Sequence, residues 1–401
     1  MLKKVTIEHF RSCRHVEIAE IPSVLVLVGR NGAGKTNILR GIHFAAQNGS
    51  STAPLTVQAY EGSRDGQPTR VVLEVELGSV RYVYAISYFA GVRLPAQGST
   101  ARVDILFEER LEIHQGAKMT VVFERKEDVV NRQGLPDAIR IGLTSPAMGA
   151  LLSLLPTDDP FVGMVRPLVD YLARVRYYPL DEPSEVKAQS VLSSADFAAW
   201  LGETQGTFRS HDSFVLPMIN MWLNRRQDFE TLLKLVGPSG LGLFEAVFVD
   251  AVSVPKAGST SSAEKEATTV YVVMFRPRGA LEGVFDVRAL SAGTRRVLRI
   301  MVSLVYDRST VMLLEQPEDS IHGGLMRKVV DLLVAHSDPA TMILASHSPS
   351  VFNSVPPESA ALVTMDFGET RVRRLTPTEV ASAKKFIQEE GSLADFLELV
   401  E

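Results

Sequence analysis

Residues 24–46 constrain the fold of this chain more than any other stretch. VLVLV (24–28) is uncharged and rich in β-branched residues, the composition of a buried strand. GRNGAGKT follows at 29–36, and NILRGIHFAA continues with Ile38, Leu39, Ile42 and Ala46 on one helical face. A glycine-rich turn between a buried strand and a helix is a phosphate cradle. Its glycines let backbone N–H groups turn inward, and the helix N-terminus adds about half a positive charge. The octapeptide fits GxxxxGK[ST], which puts Lys35 within reach of β- and γ-phosphates and the Thr36 hydroxyl on Mg²⁺. Asn31, Gly32, Ala33, Gly34 and Asn37 are the other residues expected to contact the nucleotide. A chance glycine turn would match the octapeptide, but not the strand before it, the helix after it and the motifs further on.

The rest of the chain must build a protein around this unit. At 401 residues it is long for one domain and short for three. Hydrophobic residues make up 45% and charged residues 22%, enough apolar material for a substantial core. The net charge of −5 supplies no global basic field, so a nucleic-acid contact would need a local patch. Cys13 is the only cysteine, which excludes an intramolecular disulfide and argues against a cysteine zinc site. No apolar run approaches the roughly 18 residues of a membrane span, and the chain reads as cytoplasmic.

The patterning predicts an α/β fold in four stretches: residues 1–69 with the phosphate loop, an antiparallel β subdomain at 70–142, a mainly helical insertion at 143–269, and a second part of the core at 270–401. Segments such as VVLEVEL and MTVVFER alternate apolar and polar residues, as strands with one wet face do. The stretch 172–180 reads as a strand between helices, and 251–269 as a polar loop. From 270 onward strands alternate with helices, which argues a mostly parallel sheet.

VMLLEQPEDSIH (311–322) ends a buried strand on Glu315, placing a carboxylate at the strand's carboxyl end beside the phosphate loop, where it would orient Mg²⁺. Leu290-Ser291-Ala292-Gly293 opens a helix, presenting a hydroxyl and free N–H groups to an anion. Ser291 precedes Glu315 by 24 residues. His347 follows the strand TMILA.

In this order the motifs resemble the ABC-type ATPase heads. LSAG is similar to the family's LSGGQ signature, which caps the γ-phosphate of ATP bound to the other subunit, and His347 resembles its switch histidine. The opening IEHFRSCRHVEI with EQPEDSIH looks like the SMC–RecF–OLD branch, and within it the OLD-like defence ATPases. ILFEERLEI (105–113), YYPLDEP (177–183) and ADFAAWL (195–201) also look like that group's body. The resemblance implies ATP and Mg²⁺ as ligands, a homodimer closed around ATP, and Arg11 in the nucleotide-proximal turn.

Two positions depart from the family pattern. Gly323 stands where the family has Pro. Gln316 stands where it has the glutamate that polarises the attacking water, and an amide cannot accept that proton. Losing a general base costs about 10²–10⁴ in rate, so hydrolysis should be strongly reduced while binding survives. Gln316 is either a natural slow switch or an introduced trap for the ATP state; the intactness of the other ATP-facing motifs favours the second. Gln189 is a candidate Q-loop residue. Arg295, Arg296 and Arg299 are candidates for the dimer face, and Arg371, Arg373 and Arg374 for phosphodiester.

The leading expectation is an ATP-gated switch that controls a separate effector, a nuclease, as in the two-component Septu and PARIS anti-phage systems. The stretch after His347 is too short for the Toprim domain of OLD nucleases. A RecF-like repair clamp on DNA and a pseudo-ATPase using ATP structurally are the alternatives. EQPEDSIH in place of DEPTxxLD argues against a transporter cassette.

Overall fold

The computed structural model describes residues 1–51, 67–93, 102–134, 137–143, 145–179, 191–204, 213–255, 267–279, 283–337, 339–389 and 391–400. β1 (Leu2–Phe10) and β2 (Cys13–Ile18) pair antiparallel, and β3 (Val24–Val28) leads through the glycine turn into α1 (Lys35–Ser50). β4 (Thr69–Leu77), β5 (Val80–Arg93), β6 (Arg102–Gln115), β7 (Lys118–Lys126), β8 (Val129–Arg132) and β9 (Ile139–Arg140) extend the first pair. The result is one eight-stranded antiparallel sheet in the order β2-β1-β4-β5-β6-β7-β8-β9. α2 (Ala147–Leu154) and α3 (Pro160–Leu172) connect it to β10 (Val175–Tyr178).

The middle of the chain holds β11 (Val191–Ser193), α4 (Ser194–Thr204), α5 (Val215–Asn224), α6 (Arg226–Val236), β12 (Phe244–Pro255), β13 (Ala267–Pro277), β14 (Phe285–Asp286) and α7 (Ala292–Tyr306). β15 (Val311–Glu315), α8 (Gly323–Ala335), β16 (Thr341–Ser346), α9 (Pro349–Phe352), β17 (Ala360–Asp366), β18 (Glu369–Arg374), α10 (Pro377–Glu389) and α11 (Leu393–Val400) complete it. A six-stranded sheet runs β10-β15-β16-β3-β17-β18, parallel except for β18.

Contacts divide the chain into two units. The first comprises Met1–Tyr178, Ser309–Gln316 and Ser337–Glu401; the second comprises Pro179–Arg308 and Pro317–His336. In the first, α1 packs against strands of both sheets, so Ile38, Leu39 and Ile42 share a core with Leu25, Leu27, Val71, Leu73, Leu313 and Ile343. That explains why α1 is apolar over more than one narrow stripe. The alternation in β4 is as expected: Val71, Leu73 and Val75 are buried while Arg70 and Glu76 are exposed.

The expected four-part division does not coincide with these units. Strands do form across 70–142, but they hydrogen-bond to β1 and so share a sheet with the N-terminus. The helical stretch also divides, at Tyr178. Both ends of the polar loop predicted over 251–269 are strand instead, β12 running to Pro255 and β13 beginning at Ala267, and 256–266 lie outside the described residues. Gln189 lies outside the described residues.

One feature of the first unit had no signal in the sequence. Arg125 and Glu109 are both fully buried and paired at 2.9 Å. Tyr84 Oη donates to Glu109 at 3.0 Å and the Ala147 N–H at 2.8 Å, while Arg125 also donates to the carbonyls of Gly142, Leu143 and Ser145. A buried pair of this kind is tolerable only when its remaining donors and acceptors are satisfied. Here it pins the 142–147 segment to β6 and β7.

In the second unit, β11, β13 and β12 form an antiparallel sheet with β14 on β13. α7 packs on α5 and α6, with Asn220 donating to Tyr306 Oη at 2.6 Å and the Arg225 guanidinium 4.5 Å from the Tyr306 ring. No helix among the described residues is long and apolar enough to cross a membrane.

Candidate nucleotide-binding site

All five parallel strands of the six-stranded sheet end on one edge, and the candidate residues of the first unit gather there. The register sets Glu315 opposite Ala345, Ala345 opposite Leu27, and Ser346 opposite Val28. Glu315, His347 and the glycine turn after Val28 therefore sit at neighbouring carboxyl ends, the position where open α/β sheets bind ligands.

The turn itself has the backbone that phosphate cradling needs. Gly32 and Gly34 have φ of 83° and 98°, a region costly for any side chain. A Cβ on Gly34 would also overlap Thr370 Oγ1. α1 begins with no side-chain cap, its Asn37 and Ile38 N–H groups bonding the Gly34 carbonyl instead, and a helix N-terminus of this kind favours an anion. Lys35, nearly buried, donates to the carbonyls of Gly29 and Arg30 at 2.5 and 2.9 Å, which holds its ammonium over the turn.

Thr36 Oγ1 donates to Glu315 Oε1. A hydroxyl and a carboxylate in contact form a hard oxygen donor pair of the kind Mg²⁺ takes. The turn, Lys35, Thr36 and Glu315 thus fit a magnesium–nucleotide complex. The metal, when bound, would neutralise phosphate charge.

A hydrogen-bond chain holds the turn in place. Asn37 Nδ2 donates to Ser12 Oγ at 2.7 Å, and Thr370 Oγ1 donates to the Ala33 carbonyl at 3.1 Å. Ser12 Oγ and Thr370 Oγ1 lie 2.7 Å apart, so the Ser12 proton closes the link between them. Arg11 donates to Asn37 Oδ1 at 3.1 Å, which engages both ends of that amide with the β1–β2 turn. Burial, and then Arg40 beside it, lower the Arg11 pKa from its ordinary value. Asn31 and Gly32 are exposed, and Ala33 is buried.

Gln316 has a φ of 45°, and its N–H donates to Ala345 O at 2.8 Å. A left-handed glutamine costs on the order of 1–3 kcal/mol and is a recurrent mark of functional positions. His347 is exposed just past β16.

Ser291, Ala292 and Gly293 belong to the second unit. Exposed Ser291 caps α7 by accepting from the Thr294 N–H at 3.1 Å, and its hydroxyl lies 2.8 Å from that of Thr294. Gly293 is buried, and a Cβ there would overlap the Ser320 carbonyl. Arg296 and Arg299 are 7% and 5% exposed, which removes them from any exposed dimer face; Arg296 donates to Asp319 O at 3.0 Å. Arg371, Arg373 and Arg374 pair with Asp366, Glu379 and the Glu20 carbonyl respectively.

Ser12, Thr370 and Tyr177 were missed as site residues. Ser12 and Thr370 lie 358 positions apart, and nothing in the sequence links them. Tyr177 stood in a predicted strand, two residues before Pro179, where its position at a carboxyl end was the available signal.

These features define a P-loop nucleotide-binding fold, with the loop between a buried parallel strand and its helix. Residues 24–115 and 248–353, together just under half of the chain, match the family model described as "AAA domain, putative AbiEii toxin, Type IV TA system". The chain is 29% identical to "DNA replication and repair protein RecF" of Ligilactobacillus salivarius over 139 residues, 35% of this chain and 34% of that protein. It is 38% identical to the RecF of an Arthrobacter species over 91 residues, 20% and 22% of the two chains. The matches thus span about a third or less of these RecF proteins. Among solved structures, an SMC head bound to the C-terminal winged-helix domain of ScpA is similar over 95% of this chain and 99% of that one, at 14% identity and a TM-score of 0.48. The SMC head domain from Thermotoga maritima is similar over 94% and 99%, at 12% identity and a TM-score of 0.41. Just under half of the chain is thus similar to an AAA domain, and about a third of it is similar to RecF.

Proposed function

We propose that this protein binds ATP with Mg²⁺, pairs with a second copy around the nucleotide, and uses that pairing to control a separate effector in anti-phage defence. The observation that carries the nucleotide reading is Thr36 and Glu315 in contact across 279 positions of sequence at the mouth of the glycine turn. Pairing is supported by Ser291, an exposed hydroxyl at the N-terminus of α7 in a segment that resembles the family's signature. Gln316 makes hydrolysis slow in this chain. A nuclease effector follows from the resemblance to the OLD-like, Septu and PARIS ATPases, and the family description naming a toxin of a toxin–antitoxin system is in keeping with it.

The RecF match favours a second reading, in which the ATP-bound dimer clamps DNA for repair. The two readings separate experimentally. Affinity purification from the native host, with and without phage challenge, should recover a distinct effector protein. Recovery of the homodimer alone, with tight and steeply salt-dependent DNA binding by the pure protein, would establish the clamp instead. Unchanged slow turnover under every condition, with ATP still required for pairing, would mark a pseudo-ATPase.

A further inference from the structure

Tyr177 is the residue at this edge to which neither the motifs nor the comparisons give a role. β10 runs parallel to β15 with Tyr177 opposite Leu313, which brings the tyrosine to the same carboxyl edge as Glu315. Its ring stands 5.5 Å from that of His43 on α1.

That hydroxyl donates to Glu315 Oε2, the oxygen not used by Thr36. Arg40 Nε approaches the Tyr177 oxygen at 3.4 Å. A guanidinium only donates, so the phenol oxygen accepts on that side and its single proton is committed to the carboxylate. Glu315 is therefore held at both oxygens, by α1 on one side and β10 on the other.

We propose that Tyr177 is a positioning residue for the magnesium half of the site: by holding Oε2 it presents Oε1 toward Thr36 and the metal. This rests on the nucleotide-site reading above. Partners behind a metal-ligating carboxylate fix its orientation, and their loss typically costs 10–100-fold in metal affinity. Without Tyr177, Glu315 would have to be ordered each time the metal arrives.

Tyr177→Phe keeps the ring and its packing on His43 and removes the hydroxyl, both the donor to Glu315 and the distant acceptor from Arg40. Binding of a fluorescent ATP analogue would be titrated with MgCl₂ and repeated in EDTA, with thermal melting alongside. The expected result is a magnesium midpoint raised about tenfold or more, with EDTA affinity and melting temperature close to wild type. A midpoint that does not move overturns the proposal. So does an equal loss of affinity with and without magnesium, which would make Tyr177 a support of the loop rather than of the carboxylate. A wild-type protein that binds no analogue at all would remove the nucleotide site and this role together, whereas wild-type binding with an unmoved midpoint removes the role alone.

Discussion

Gln316→Glu is the substitution that bears most directly on chemistry. The backbone at this position is set by β15 and by the bond from the Gln316 N–H to Ala345 O, neither of which involves the side chain. Glutamate is nearly isosteric with glutamine, so the same left-handed conformation should persist and nucleotide affinity should change little. What changes is the ability to accept a proton from water. A positioned general base contributes about 10²–10⁴ in rate, equivalent to about 3–5 kcal/mol of barrier. Steady-state and single-turnover phosphate release at saturating MgATP would measure it, with calorimetric ATP affinity in parallel. The expected outcome is at least a hundredfold faster turnover. Adding Lys35→Ala should erase the gain, which guards against a contaminating ATPase. Equal slow rates in both forms would refute the assignment of position 316 as the catalytic base, unless an added partner restored the difference.

Lys35→Ala removes a charge-assisted contact worth about 1.5–3 kcal/mol, so ATP affinity should fall at least tenfold with the melting transition retained; unchanged affinity by calorimetry would dismiss the phosphate-loop assignment. Ser291→Arg should leave ATP binding by the monomer intact and block ATP-dependent dimerisation if, as proposed, Ser291 faces the nucleotide of the second copy; normal dimerisation in light scattering, compared with and without ATP, would contradict the sandwich. His43, whose pKa burial lowers to about 4, adds a pH signature. The unfolded chain binds its proton near pH 6.5 and the folded one near 4, so the stabilisation is full above pH 6.5 and is lost on acidification. The loss is about 3 kcal/mol between those limits. Chemical denaturation should show a flatter pH profile in His43→Gln, and an identical profile would dismiss the assignment.

The local half of this protein was legible in its sequence. Strand, glycine turn and helix over 24–46 follow from composition, spacing and periodicity among near neighbours, and all three formed there, with α1 running on to Ser50. Glu315 was legible for the same reason, as the first carboxylate after a buried apolar run. Contacts between distant residues were not. Ser12 with Thr370, Tyr177 with Glu315, and Arg125 with Glu109 each join different elements, and a single polar residue in a strand has no periodicity to announce its partner. The glycine at 293 shows the same division. Its place at a helix start suggested an anion contact, while its burial against the Ser320 carbonyl comes from a loop brought back by the fold. Sequence determined which residues are able to cradle phosphate and hold a cation. Tertiary structure decided which side chains hold those residues still, because that depends on sheet order, and sheet order is set by packing among strands far apart in the chain.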